Sequence, residues 1–349
     1  MIGAASDIVV STVRQNRVTL RKTVVTCTGL AATLTLTIVL ASLIGSEPLP
    51  SGASLCALAS LGTSTCGLTR DQFDILFQLR LPRILLAAAV GGSLATAGAG
   101  YQALLRNPLA EPYLLGISNG AAVGTMIALV FFGALEWTRP LLAFTGALTA
   151  TLAVYRLARG RAGATPERLI LAGVIVTTFL SSVIVFVTVM MDATRIRSFT
   201  FWLLGDLSGT SKGLLPVAIT IAIVGALALT LNARSLNLLM LGERDAFDLG
   251  VEVGRVRIVV FVVASLLVGS SVAASGSVGY VGLVVPHLAR LSLGSDNRIS
   301  IPAAALGGAL FVIVADTLAR TIIAPRELPV GAITALIGAP LFIYLLRRV

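Results

Sequence analysis

Charge is what this chain has least of. Asp, Glu, Lys and Arg make up 12% of its 349 residues, about half the roughly 25% of an ordinary soluble domain. Hydrophobic residues supply 56%, and the mean hydropathy is +0.95, so the chain belongs in a bilayer. Histidine occurs once and cysteine three times, and no HExxH or CxxC is present. HExxH-type metal hydrolysis and dithiol redox chemistry therefore have no sequence basis. The phosphate-binding pattern G-x-x-x-x-G-K-[ST] is also missing, so the chain does not hydrolyse ATP itself. No catalytic residue, resident metal or cofactor is expected.

What is present is apolar length. A membrane helix needs about 20 mostly apolar residues, and Val24 to Ile44 is the clearest instance. The arginines before it resemble a signal-peptide n-region, but the run is long and no small-x-small site closes it, so an uncleaved first span is expected. Further spans fall near 84–105, 115–135, 139–158, 169–190, 213–231, 258–276, 278–291, 301–319 and 329–346. The fold class is then all-α, one polytopic membrane domain over 1–349 with about ten spans and both termini on one side. Placing the N-terminal segment 1–23 in the cytoplasm puts Arg14, Arg17, Arg21, Lys22, Arg106, Arg156, Arg159, Arg161, Arg168, Arg234, Arg244, Arg255, Arg257, Arg290, Arg298, Arg347 and Arg348 inside. That is 17 of the 26 basic residues, as the positive-inside rule requires. The net charge of +10 is read as this topology signal and not as a nucleic-acid footprint.

Intramembrane carboxylates are scarce too. Glu47, Asp71, Asp74, Glu111, Glu136, Glu167, Asp192, Asp206, Asp245, Asp296, Asp316 and Glu327 are all expected at span ends or in loops. An ion-coupled carrier keeps an acid near the midplane, so energy must come from elsewhere. The one histidine, His287, follows Pro286 at the inner end of the eighth span, where a helix-end hydrogen bond is expected and not metal ligation.

Two corners interrupt the apolar pattern. QALLRNPLAEPYLLGISNG runs from Gln102 to Gly120 and places Asn107, Pro108, Glu111 and Pro112 where a helix must stop; GYVGLVVPHLAR runs from Gly279 to Arg290. Each follows a Gly-rich run. Gly91, Ser93 and Gly98 match Gly269, Ser271 and Gly276 at constant offset, and Gly100-Tyr101 match Gly279-Tyr280 after one inserted residue. The predicted topology runs the two copies in opposite senses, which makes an inverted repeat, the architecture that puts a substrate path at the repeat interface. In the loop 45–70, Cys56 and Cys66 share an extracytoplasmic location where a disulfide is permitted; two unpaired small residues are the alternative. Between spans six and seven, the segment 236–257 mixes apolar residues at helical spacing with Gly242, Gly250 and Gly254. The pattern predicts a short helix lying along the membrane and offered to a cytoplasmic partner.

With these residues assembled, the chain resembles the permease subunits of bacterial ABC importers for ferric siderophores, haem and vitamin B12, the FecCD family. RLPR (Arg80 to Arg83), Gln102 to Gly124, LGERDAFDLGV (Leu241 to Val251), Gly279 to Arg290, ADTLAR (Ala315 to Arg320) and ELPVGAITALIGAPLF (Glu327 to Phe342) carry the likeness. The first 75 residues share only one span and an outer loop with the family. The resemblance implies a type II importer permease in the inner membrane, working as a homodimer or as a heterodimer with a close paralogue. Two cytoplasmic ATP-binding subunits and an extracytoplasmic binding protein would be its partners, with membrane lipid around it. It implies docking of the binding protein on Arg80, Arg83 and Arg320, and ATPase coupling through Leu241, Gly242, Glu243, Ala246, Leu249 and Gly250. It also implies an inner gate at Thr165, Pro166 and Glu167, although that stretch departs from the small-hydroxyl pattern of the vitamin B12 importer. A ferric siderophore is the expected cargo and haem or vitamin B12 the alternatives; an ion-coupled secondary transporter is the competitor of another class.

Overall fold

The computed structural model describes residues 19–132, 137–160, 163–209 and 213–347. Most of the N-terminal segment 1–23, with Arg14 and Arg17, and also Glu136, Arg161 and Arg348 lie outside the described residues. Ten apolar helices account for the expected spans: α1 (Leu20–Leu43), α3 (Arg70–Leu104), α4 (Ile117–Phe132), α5 (Thr138–Ala158), α6 (Pro166–Val189), α8 (Leu214–Leu231), α11 (Val253–Ser275), α12 (Val281–Leu293), α13 (Asn297–Thr321) and α14 (Val330–Leu346). Short helices α2 (Ser51–Ala59), α7 (Ala193–Leu203), α9 (Ala233–Leu241) and α10 (Glu243–Asp248) fill the connections. A two-residue hairpin, Arg159–Gly160 against Gly163–Ala164, is the one strand pair among the described residues.

Burial grades these helices by role. Only 6% of the most apolar window of α1 is buried within the chain, so its stripe-free surface faces lipid; in α3 the share is 83%. Composition explains how α3 runs through the middle. Between lipid and protein there is little hydrophobic drive, so membrane helices associate through close backbone approach at small residues. A Cβ on Gly91 would strike the Gly308 carbonyl of α13, and one on Gly98 would strike the Gly282 carbonyl of α12.

The repeat is visible in these contacts. Gly91 of α3 packs on α13, and its mate Gly269 of α11 packs on Ala147 and Phe144 of α5. The copies then diverge. The first stays helical through Tyr101 to Leu104, whereas the second ends at Ser275, with Gly276 at φ +68 and Tyr280 at φ +66 starting α12. Gly276 sits against the Trp202 carbonyl with no room for a side chain, which fixes the break about two turns earlier than in the first copy.

On the connection before α3, Cys56 and Cys66 are disulfide-bonded, with Cα atoms 5.9 Å apart. They close a small separate core of Leu49, Ala57, Leu68 and Leu76. At the other end of α3, the segment 236–257 holds two helices where one was expected. Gly242, at φ +142, divides α9 from α10 in a conformation that a side chain disfavours.

Candidate functional site

The two corners named from the sequence meet each other. The first is shaped locally: Asn107 Oδ1 accepts from the Leu109 N–H at 2.9 Å, and Pro112 opens a single 3-10 turn, Pro112–Leu115, which Gly116 at φ +74 ends. That turn lies against the broken segment before α12. The Tyr280 N–H donates to Glu111 Oε1 at 3.3 Å, Tyr113 OH donates to the Val278 carbonyl at 3.0 Å and accepts from the Val278 N–H at 3.0 Å, and Ser118 and Ser277 share a 3.3 Å bond. Pro286 has no N–H, so within α12 it leaves the Gly282 carbonyl without its usual partner. Gln102 Nε2 donates to that carbonyl at 3.4 Å and to Leu283 O at 3.2 Å. Each irregular stretch of backbone is therefore satisfied by the other copy, a necessity where water is excluded. His287 differs from expectation. It lies inside α12, buried, edge-on to Phe342 at 6.3 Å between ring centroids, because α12 continues to Leu293.

At the Arg80 end of α3 the expected trio of arginines comes together, but inward. Arg80 and Arg320 are each 5% exposed. Arg80 donates to the backbone carbonyls of Ser42 and Glu47. Arg83 Nε pairs with Asp316 Oδ1 at 2.9 Å and its Nη1 with Glu327 Oε2 at 2.7 Å; Arg320 Nε lies 3.1 Å from Asp316 Oδ2. Asp316 thus departs from the expected span-end position: it is fully buried inside α13, five residues before Thr321, where two guanidinium groups neutralise it. A polar cavity of about 400 Å³ opens beside the cluster, lined by Gln78, Arg80, Arg83, Ser208, Arg320 and Glu327 among others.

The far end of α3 carries the second set. Of the segment read as an ATPase contact, Leu241 and Leu249 are exposed, and so is Phe247 between them, while Ala246 is fully buried and faces the protein. Gly242 and Gly250, at φ +142 and +84, bracket α10. Glu243 also turns inward: its carboxylate pairs with Arg257 of α11, and Arg106 Nη2 stands 3.8 Å away. Asp296, which caps α13, ties α9 down by accepting from Asn237 Nδ2 at 2.7 Å. Burial pushes the Asp296 carboxyl up, but bonds from Arg298 and Asn237 outweigh it and hold the group below the usual carboxylate range. Thr165 precedes α6, Pro166 is its first residue, and Glu167 sits exposed in its first turn.

Sequence reasoning passed over Asp316, Arg257 and Arg106 as site residues. For Asp316 the signal was available, since Arg320 follows at the i+4 spacing of a helical ion pair. Nothing in the local pattern of Arg257 or Arg106 names Glu243 as partner.

The family-model comparison matches residues 33–348 to the FecCD transport family. The chain is 41% identical over 287 residues to the hemin transport system permease protein HmuU of Yersinia pestis, covering 79% of this chain and 84% of that one. It is 43% identical over 269 residues to the cobalamin import system permease protein BtuC of Halobacterium salinarum, covering 77% and 72%. A solved metal-chelate type ABC transporter in an inward-facing conformation superposes with a TM-score of 0.80 at 30% identity, covering 94% of this chain and all of that one. The chain belongs to the FecCD transport family. Its polytopic all-α architecture is the type II importer permease fold expected from the sequence.

Proposed function

We propose that this chain is the permease subunit of an ATP-driven importer in a bacterial inner membrane, with both termini cytoplasmic. It takes up a bulky iron chelate, a ferric siderophore, delivered by an extracytoplasmic binding protein. Two copies form the path, and two cytoplasmic ATP-binding subunits drive it. The observation that carries this reading is the division of labour along α3. An arginine cluster with its polar cavity lies at one end, an exposed apolar loop at the other, and the interlocked repeat corners between. The only fully buried carboxylate among the described residues, Asp316, is held by Arg83 and Arg320, which leaves it no vacancy for a coupling ion. Haem and cobalamin are the second reading, because two relatives carry those names.

In this reading the docking face for the binding protein is the rim around Arg80, Arg83 and Arg320. Ion pairs across such a rim set encounter rate and register more than affinity, and salt weakens them. Arg80→Glu with Arg320→Glu should abolish capture of the cognate binding protein, measured on the assembled permease in nanodiscs. Unchanged affinity and salt dependence would assign these arginines to internal structure alone.

A further inference from the structure

Arg83 pairs with two acids of opposite standing. Its Nε lies 2.9 Å from Asp316 Oδ1 and its Nη1 2.7 Å from Glu327 Oε2. Asp316 is fully buried and shared with Arg320 at 3.1 Å, so it cannot leave without stranding two guanidinium groups. Glu327 has 44% of its side chain exposed, and Arg83 is its one ion-pair partner among the described residues. A pair with an exposed member is weak. The backbone just after Glu327 is fastened, because the Leu328 N–H donates to the Ala319 carbonyl and the Val330 N–H to the Gly205 carbonyl, each at 3.0 Å. The Glu327 carboxylate can therefore swing into water while the start of α14 stays in place.

We propose that Glu327 is a resident competitor: its carboxylate holds the place on Arg83 that an acidic side chain of the docked partner takes, and docking exchanges one carboxylate for the other while Asp316 stays. The inference rests on the reading of the arginine rim as the docking face and names how that face is regulated. The pair itself identifies the chemistry of the incoming group. A guanidinium fork matches a carboxylate, and Glu327, reaching Arg83 from the exposed side of the polar cavity, shows that one fits there. A second carboxylate brought to the same nitrogen would meet the first, and like charges sharing a site repel. One of them must go. The exposed, singly held Glu327 goes more easily than the buried, doubly held Asp316. Until a partner arrives, the same carboxylate keeps Arg83 neutralised and the rim closed to stray acidic groups.

The test uses the chain assembled with its ATP-binding subunit in nanodiscs, with affinity for the cognate binding protein read by biolayer interferometry. Glu327→Gln removes the competitor and should tighten binding about 1.4- to 5-fold, the range that one exposed ion pair spans. Glu47→Gln controls for charge alone, since Glu47 lines the same cavity, is exposed and makes no ion pair among the described residues; its gain should be clearly smaller. A cryo-electron microscopy structure of the docked complex reads the exchange directly. Arg83 Nη1 should there hold a carboxylate of the binding protein, with Asp316 still on Nε and Glu327 turned away. Equal gains from the two variants, no gain from Glu327→Gln, or a docked complex in which Glu327 still holds Arg83 each overturns the proposal. The docking reading fails separately: if Arg80→Glu with Arg320→Glu leaves capture unchanged, the rim is not the docking face and the exchange falls with it. If that double variant loses capture and Glu327→Gln gains nothing, only the exchange is wrong.

Discussion

Asp316 is the residue on which the arginine end depends. Its carboxylate is fully buried between Arg83 and Arg320, so removing its charge strands two guanidinium groups that are themselves mostly out of water. Breaking a buried pair by deleting one partner costs about 3–5 kcal/mol. Glu327, with 44% of its side chain exposed, reaches the same Arg83 from the rim, where an ion pair contributes about 0.2–1 kcal/mol. Asp316→Asn should therefore lower the melting temperature of the purified chain sharply and Glu327→Gln hardly at all. Equal effects would show that the cluster is solvated in the membrane. The sequence displayed Asp316 and Arg320 at helical spacing, but not their depth, because burial near a helix end depends on neighbours that are far away in the chain. Glu243 shows the same gap. Amphipathic spacing marks which residues share a face of the loop, and Arg257, fourteen residues on, becomes a partner only after α10 folds back.

The elements were largely readable, since a span is fixed by length and apolarity and both are local. All ten expected spans have a helix, with ends shifted by a few residues, apart from α3, which begins well before the expected residue 84. What lay beyond reach was how a glycine repeat is used. Gly98 and Gly276 match in sequence, yet Gly98 admits the Gly282 carbonyl to the side of a continuous helix, whereas Gly276 ends one. The difference comes from what packs against each, α12 in one case and the Trp202 carbonyl in the other. Gly98→Leu forces α3 away from α12 and separates Gln102 from the carbonyl that Pro286 leaves free. Overpacking of this kind costs typically about 1–3 kcal/mol, and the loss of a satisfied buried carbonyl adds to it. The variant should melt lower and fail in transport while Gly254→Leu, in open space at the start of α11, keeps its melting temperature. A stable, transporting Gly98→Leu protein would contradict the account of the interlock.

Across the whole molecule, the two irregular corners are placed so that each satisfies the other, and the charges are gathered at the two ends of α3. Among the described residues the one fully buried carboxylate is neutralised, and the sequence holds no G-x-x-x-x-G-K-[ST] phosphate-binding loop. The central claim is accordingly that transport needs ATP and outside partners. It is tested by reconstituting the chain in liposomes, alone or with its ATP-binding subunit and binding protein, and following entry of an iron-labelled ferric siderophore, haem or cobalamin. Uptake of one of these should occur only with ATP and both partners present. Accumulation by the chain alone under a proton gradient would contradict the account.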